Sequence, residues 1–70
     1  MAESVYKIIE LVGTSTESWE AAARAAVERA SSTLRDLRIA EVDKLDMTVD
    51  GNKVVLYRAR VKLSFKYEEG

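Results

Sequence analysis

Cysteine, histidine and proline are missing from this chain of 70 residues, and glycine occurs only three times. Without cysteine there is no disulfide and no thiolate chemistry. Without histidine as well, the usual zinc ligands are gone, and only an oxygen-ligated ion stays open. No apolar run approaches the ~20 residues of a membrane-spanning helix, so no membrane partner is expected. Neither sign of charge dominates: eleven basic and twelve acidic residues leave a net charge of −1. That balance argues against nucleic acid as a partner. There is no nucleophile motif and no glycine-rich phosphate loop, so the chain is not expected to be an enzyme. The stretch MAESVYK has no signal-peptide pattern, which sets the expected location in the cytoplasm.

What is present suits one domain, residues 1–70, with a thin core. Scaffolds of this size are usually reinforced by disulfides, metal or oligomerisation. With disulfides excluded, self-association is the expected route.

Three segments are separated by glycines. SVYKIIELVG, residues 4–13, is β-branched and apolar and reads as a strand ending at Gly13. Val5, Ile9 and Leu11 fall on one face, and Tyr6, Ile8 and Val12 on the other, so both faces call for cover. TSTESWEAAARAAVERASSTLRDL reads as a helix. Thr14 and Glu17 fit a capping box, with Ser15 or Thr16 as alternative caps. Trp19, Ala22, Ala23, Ala26, Ala30, Leu34 and Leu37 recur at helical spacing, while Glu20, Arg24 and Glu28 form an i,i+4 ladder on the wet side. The remainder reads as two long strands around DGN, a sequence suited to a tight hairpin. The expected class is α+β: a β-α-β-β chain with a three-stranded antiparallel sheet wrapped on one helix.

The last strand carries a row of Arg58, Arg60, Lys62 and Lys66, and the hairpin supplies acids for it. With Gly51 and Asn52 at the tip, Asp50 faces Lys53, Asp43 faces Arg60 and Glu41 faces Lys62. With Asp50 and Gly51 at the tip, Asp43 faces Arg58 and Glu41 faces Arg60. A three-residue turn sets Lys44 against Arg58, a like-charge pair that costs energy. The first register gathers Ala40, Val42, Val55, Tyr57, Ala59, Val61, Leu63 and Phe65 on the helix face. It places Ile39, Leu45, Met47, Val49, Val54, Leu56, Arg58, Arg60 and Lys62 on the back. Lys44 and Asp46 then interrupt the inward face and are expected at an exposed end or a subunit junction. Strands of about fifteen residues, ~50 Å long, overhang a helix of ~30 Å. The back of the sheet is therefore expected to meet sister copies.

The segments VYKIIELVGTSTESWEAAARAAVERASSTLRDL, AEV, DG and YRARVKLSFKYE together resemble the dodecin family. The resemblance implies a hollow homododecamer that binds riboflavin or FMN without transforming it; some members hold coenzyme A or metal ions at subunit junctions. It implies ligand-binding positions at Arg38, Ile39 and Arg58. Ile39 stands where the family has a tryptophan that stacks on the flavin ring, and Arg58 where it has a glutamine that hydrogen-bonds the ring edge. Ile39 offers no plane, and Arg58 cannot accept a hydrogen bond. SWEAAARAAVERA and DMTVD are similar to a branch without that tryptophan, described as calcium-binding. Asp43, Asp46, Asp50 and Glu41 are the oxygen donors available for such an ion. Outside the resemblance, Trp19 and Met47 read as packing residues, Glu41 and Asp43 as ion-pair partners, and Arg58 as a structural pair or an anion contact.

Overall fold

The computed structural model describes residues 3–67. The ends of the expected 1–70 unit, and the Glu68 that closes the YE pair, lie outside the described residues. The elements are β1 (Tyr6–Ser15), α1 (Trp19–Ser31), β2 (Leu37–Asp50) and β3 (Lys53–Lys66). They form one antiparallel sheet in the order β1-β3-β2, and α1 lies across one face. The expected α+β, β-α-β-β architecture is present. Because β3 is central, its inward residues Ala59, Val61 and Leu63 are buried, while β2, an edge strand, is exposed along almost all its length.

β1 does not stop at Gly13. It continues to Ser15 because Thr14 and Ser15 stay paired with Arg58 and Tyr57. Gly13 serves a different purpose. A Cβ built there would collide with the Ala22 carbonyl oxygen and lie 3.2 Å from the Ala26 Cβ. The glycine lets the strand and the helix backbone approach closely.

α1 is shorter than its periodicity suggests, and its cap is Ser18 rather than Thr14, Ser15 or Thr16. The Ser18 hydroxyl accepts from the Ala21 N–H at 3.0 Å. Ser15 instead accepts from the Glu17 N–H at 2.9 Å, bridging the strand end to the cap. Since Thr14 and Ser15 are committed to the β-ladder, the helix cannot begin before that turn. At the other end, the hydroxyls of Ser31, Ser32 and Thr33 donate back to the carbonyls of Glu28, Arg29 and Ala30. Such bonds compete with helix propagation. Asp36, at φ 60°, then swings the chain into β2. Leu34 and Leu37 lie beyond the helix, yet both still pack on the core.

That core is Ala22, Ala26, Ala30, Ala59, Val61 and Leu63. Alanine on the helix and larger side chains on the sheet are complementary, because small residues let α1 settle close to β3. α1 has 13 residues, ~20 Å of helix. β2 and β3 have 14 each, ~46 Å of strand. The overhang is therefore greater than the sequence implied, and the molecule measures 55 × 20 × 15 Å.

The hairpin tip is Gly51–Asn52, with φ of 60° and 63°, the signature of a type I′ turn. Asp50 faces Lys53 and Glu41 faces Lys62, so the first of the two registers holds at both ends. Between them it does not. The pairing slips between Thr48 and Val49 and slips back between Val42 and Lys44, with a third irregularity between Leu37 and Ile39. Val55, Asp43 and Arg38 are the residues left over. Asp43 is thus not opposite Arg60; Lys44 faces Arg60 and Asp46 faces Arg58. Leu45 and Met47, expected on the back, share rows with Ala59 and Tyr57 on the helix side. The reason is the side-chain period of two. Strict alternation would aim Lys44 and Asp46 at the core, and one extra residue at Asp43 reverses every side chain after it.

Candidate functional site

The pairing of β1 and β2 with β3 sorts the outer face into rows. Ile8, Ser64 and Ile39 form one row. Glu10, Lys62 and Glu41 form the next, then Val12, Arg60 and Lys44, then Thr14, Arg58 and Asp46. Successive rows are ~7 Å apart. Ile8 and Ile39 are the most open large side chains of this face, at 62% and 64% exposure, flanking the small Ser64.

The expected ligand residues fall into two places. Arg38 and Ile39 border a shallow cleft of about 140 Å³ with Val27, Leu37, Ala40 and Leu63. Arg58 shares Ile39's face but pairs six residues from Ser64 along β3, ~20 Å away. One protomer does not bring them into one pocket.

Arg58 is already engaged. Its Nε donates to Asp46 Oδ1 at 2.7 Å and its Nη2 to Oδ2 at 3.3 Å. The backbone carbonyl of Asp46 accepts from the Trp19 indole N–H at 2.9 Å. The Trp19 ring stands edge-on to Tyr57, centroids 5.3 Å apart at 74°. Asp46 thus ties the start of α1 to both strands of the hairpin. Trp19 is a packing residue, as its place on the helix implied, and also a latch on the edge strand. The hydrogen bond from Arg58, with its charge, holds the Asp46 carboxyl below the usual carboxylate value. A depressed folded pKa contributes stability above the unfolded value of ~3.9, which is lost as pH falls through the folded value. A carboxyl-detected NMR titration is expected to place the Asp46 midpoint below the ordinary aspartate value of ~3.9. Arg58→Gln should return it to the ordinary range, and an unshifted wild-type midpoint would refute the pairing.

Lys62, in the row between Glu10 and Glu41, also reaches Asp43 at 3.9 Å. Among the described residues no three carboxylates converge into a cage for a metal ion. A cleft of about 300 Å³ near the Leu37 end is lined by Lys7, Arg35, Asp36, Phe65, Lys66 and Tyr67. It combines cations with aromatic rings. No motif marks it, because its walls come from β1, the loop before β2, and the end of β3. Among the described residues no helix is long and apolar enough to cross a membrane.

Comparison with known proteins supplies the remaining findings. The sequence profile of the dodecin family matches residues 5–68. The calcium dodecin of Mycobacterium tuberculosis is 48% identical over 63 residues, covering 90% of this chain and 89% of its own length. A crystal structure of calcium dodecin from that organism, described as having a novel calcium-binding site, superposes with a TM-score of 0.84 over 96% of each chain at 45% identity. The Thermus thermophilus dodecin is 45% identical over 65 residues, covering 93% of this chain and 94% of its own. The Streptomyces coelicolor dodecin structure superposes with a TM-score of 0.91 over the whole of both chains at 37% identity.

Proposed function

The chain belongs to the dodecin family, and from that premise we propose that it assembles into a hollow homododecamer that binds a small ligand between copies and catalyses nothing. The observation that carries this reading is the uncovered back of the sheet. Val12, Ile8 and Ile39 lie open there, while among the described residues only two side chains larger than alanine, Val61 and Leu63, are fully buried. Sister copies are the cover that such a thin protomer needs.

Of the two ligands that the family implies, calcium fits better than a stacked flavin. Ile39 presents apolar surface but no plane at the stacking position, and Arg58 is tied to Asp46. The stacking arrangement therefore does not fit these residues. Calcium asks for carboxylate and carbonyl oxygens in a flexible shell. Glu41, Asp43, Asp46 and Asp50, all on β2, have that chemistry. As they do not converge within one protomer, the ion would take donors from more than one copy. The relative 48% identical to this chain is a calcium dodecin. A second reading, FMN, is favoured by the cleft of Lys7, Arg35, Lys66, Phe65 and Tyr67, which joins charge for a phosphate to rings for an aromatic ligand.

Light scattering of the purified protein is expected to give the mass of a dodecamer of 7.8 kDa chains. A folded monomer at micromolar concentration would overturn the assembly. Calcium should raise the melting temperature, and quenching of FMN fluorescence should be weak. Strong quenching with no calcium effect would select the second reading. Ile39→Trp should strengthen FMN binding by roughly fivefold to 150-fold, the worth of ~1–3 kcal/mol of aromatic stacking.

A further inference from the structure

We propose, building on the self-assembly above, that the outer face docks on a second copy of this chain in a register set by two adjacent rows of opposite charge. In one row Glu10 and Glu41, with the neighbouring Asp43, outnumber Lys62. In the next row Lys44 and Arg60 stand with Val12 and no acid. The acidic and basic bands are a single pleat repeat apart, ~7 Å.

Among the described residues the basic band has no ion pair of its own. Lys44 and Arg60 face each other directly, and like charges so placed repel. Of the carboxylates one row away, that of Asp46 is already claimed by Arg58, and those of Glu10 and Glu41 flank Lys62. The acidic band has the mirror deficit, with one lysine among three carboxylates. A charged face of one sign would suit a nucleic acid or an anionic membrane; here phosphates drawn to Lys44 and Arg60 would lie beside Glu10 and Glu41. The pattern fits a surface that carries the same two bands in reverse order, and a second copy is that surface.

The geometry closes on itself. One copy is turned over about a two-fold axis that lies between the faces and runs across the strands. Strand direction reverses, β2 lies over β2, and the acidic band of each copy covers the basic band of the other. Glu41 of one copy meets Lys44 of the other, and the symmetry repeats the contact. The apolar neighbours Ile8, Ile39 and Val12 lie in the flanking and central rows. They supply contact area, while the charges fix the register.

Charge-swapped copies test this. One variant carries Lys44→Glu and Arg60→Glu, the other Glu10→Lys and Glu41→Lys. Each alone would place like charge on like charge. Each is expected to need at least ~10-fold more protein than the wild type to assemble, and an equimolar mixture should regain the wild-type mass with both chains in each particle. Variants that assemble singly as well as the wild type, with no gain on mixing, would overturn the docking while leaving the wild-type assembly intact. Should either variant fail to fold, the wild type answers alone. Light and 15N-labelled chains are co-refolded and treated with a carbodiimide, and a Glu41–Lys44 cross-link of mixed isotope is expected; its absence in a particle of full mass rejects the contact. A wild-type protein that is monomeric at every concentration sinks the assembly itself.

Discussion

Gly13→Ala is expected to abolish the fold of the protomer, although it adds one methyl group. The new carbon would overlap the carbonyl oxygen of Ala22, with the Ala22 carbonyl carbon at 3.0 Å and Ala26 Cβ at 3.2 Å behind it. The obstacle is helix backbone, not the flexible end of a side chain, so no rotamer change relieves it. Either α1 lifts from β1, opening the alanine contact that seals the core, or β1 buckles and gives up its pairing with β3. Overpacking typically costs ~1–3 kcal/mol and more where the backbone must move. A chain of this size has only a few kcal/mol to lose. Circular dichroism should show no cooperative melt, or one displaced far downward, and the assembled particle should be missing. A melt within ~0.5 kcal/mol of the wild type, the range of ordinary surface changes, would show that the strand and helix are not in such close contact.

Leu63→Ala is expected to be comparably damaging for the opposite reason. Leu63 is 1% exposed and lies among Ala22, Ala26, Ala30, Ala59 and Val61. Truncation leaves a void among core residues held on helical and strand backbone, of which the four alanines are too short to reach into it. Large-to-small changes of this kind cost ~2–5 kcal/mol, rising with how poorly the site collapses. Val55→Ala is the control, since Val55 is the exposed leftover residue near the turn, and it should change stability by under ~1 kcal/mol. Urea titrations of both variants at several protein concentrations separate the protomer's loss from that of the assembly, because only the latter depends on concentration. Equal midpoints for the two variants would refute the placement of the core.

Much of this was open to a reader of the residues alone. The order of elements followed from periodicity and from two punctuating segments, and the DGN turn set the hairpin tip because only residues at ease with positive φ fit there. The helix ends were misplaced because two local preferences lost to longer-range bonds. Thr14 makes a good cap, but β-pairing with Arg58 removed it. Leu34 and Leu37 fit the helical period, but three consecutive hydroxyl residues ended the helix first. The β-bulge at Asp43 had a trace in the sequence: Lys44 and Asp46 fell on a face that had to be apolar. That conflict marked where the register breaks, without saying which residue is extra. The bidentate pairing of Arg58 with Asp46 and the latch from Trp19 both depend on that one residue.

The sequence by itself determined the class of molecule: a disulfide-free β-α-β-β chain with an alanine-faced helix, a charged hairpin and more apolar surface than its core can hide. Those properties depend on composition and short-range spacing, which are local. Only the tertiary structure decided which charges meet, because cross-strand partners lie up to a strand's length apart in the chain and a single unpaired residue exchanges the two faces of everything beyond it.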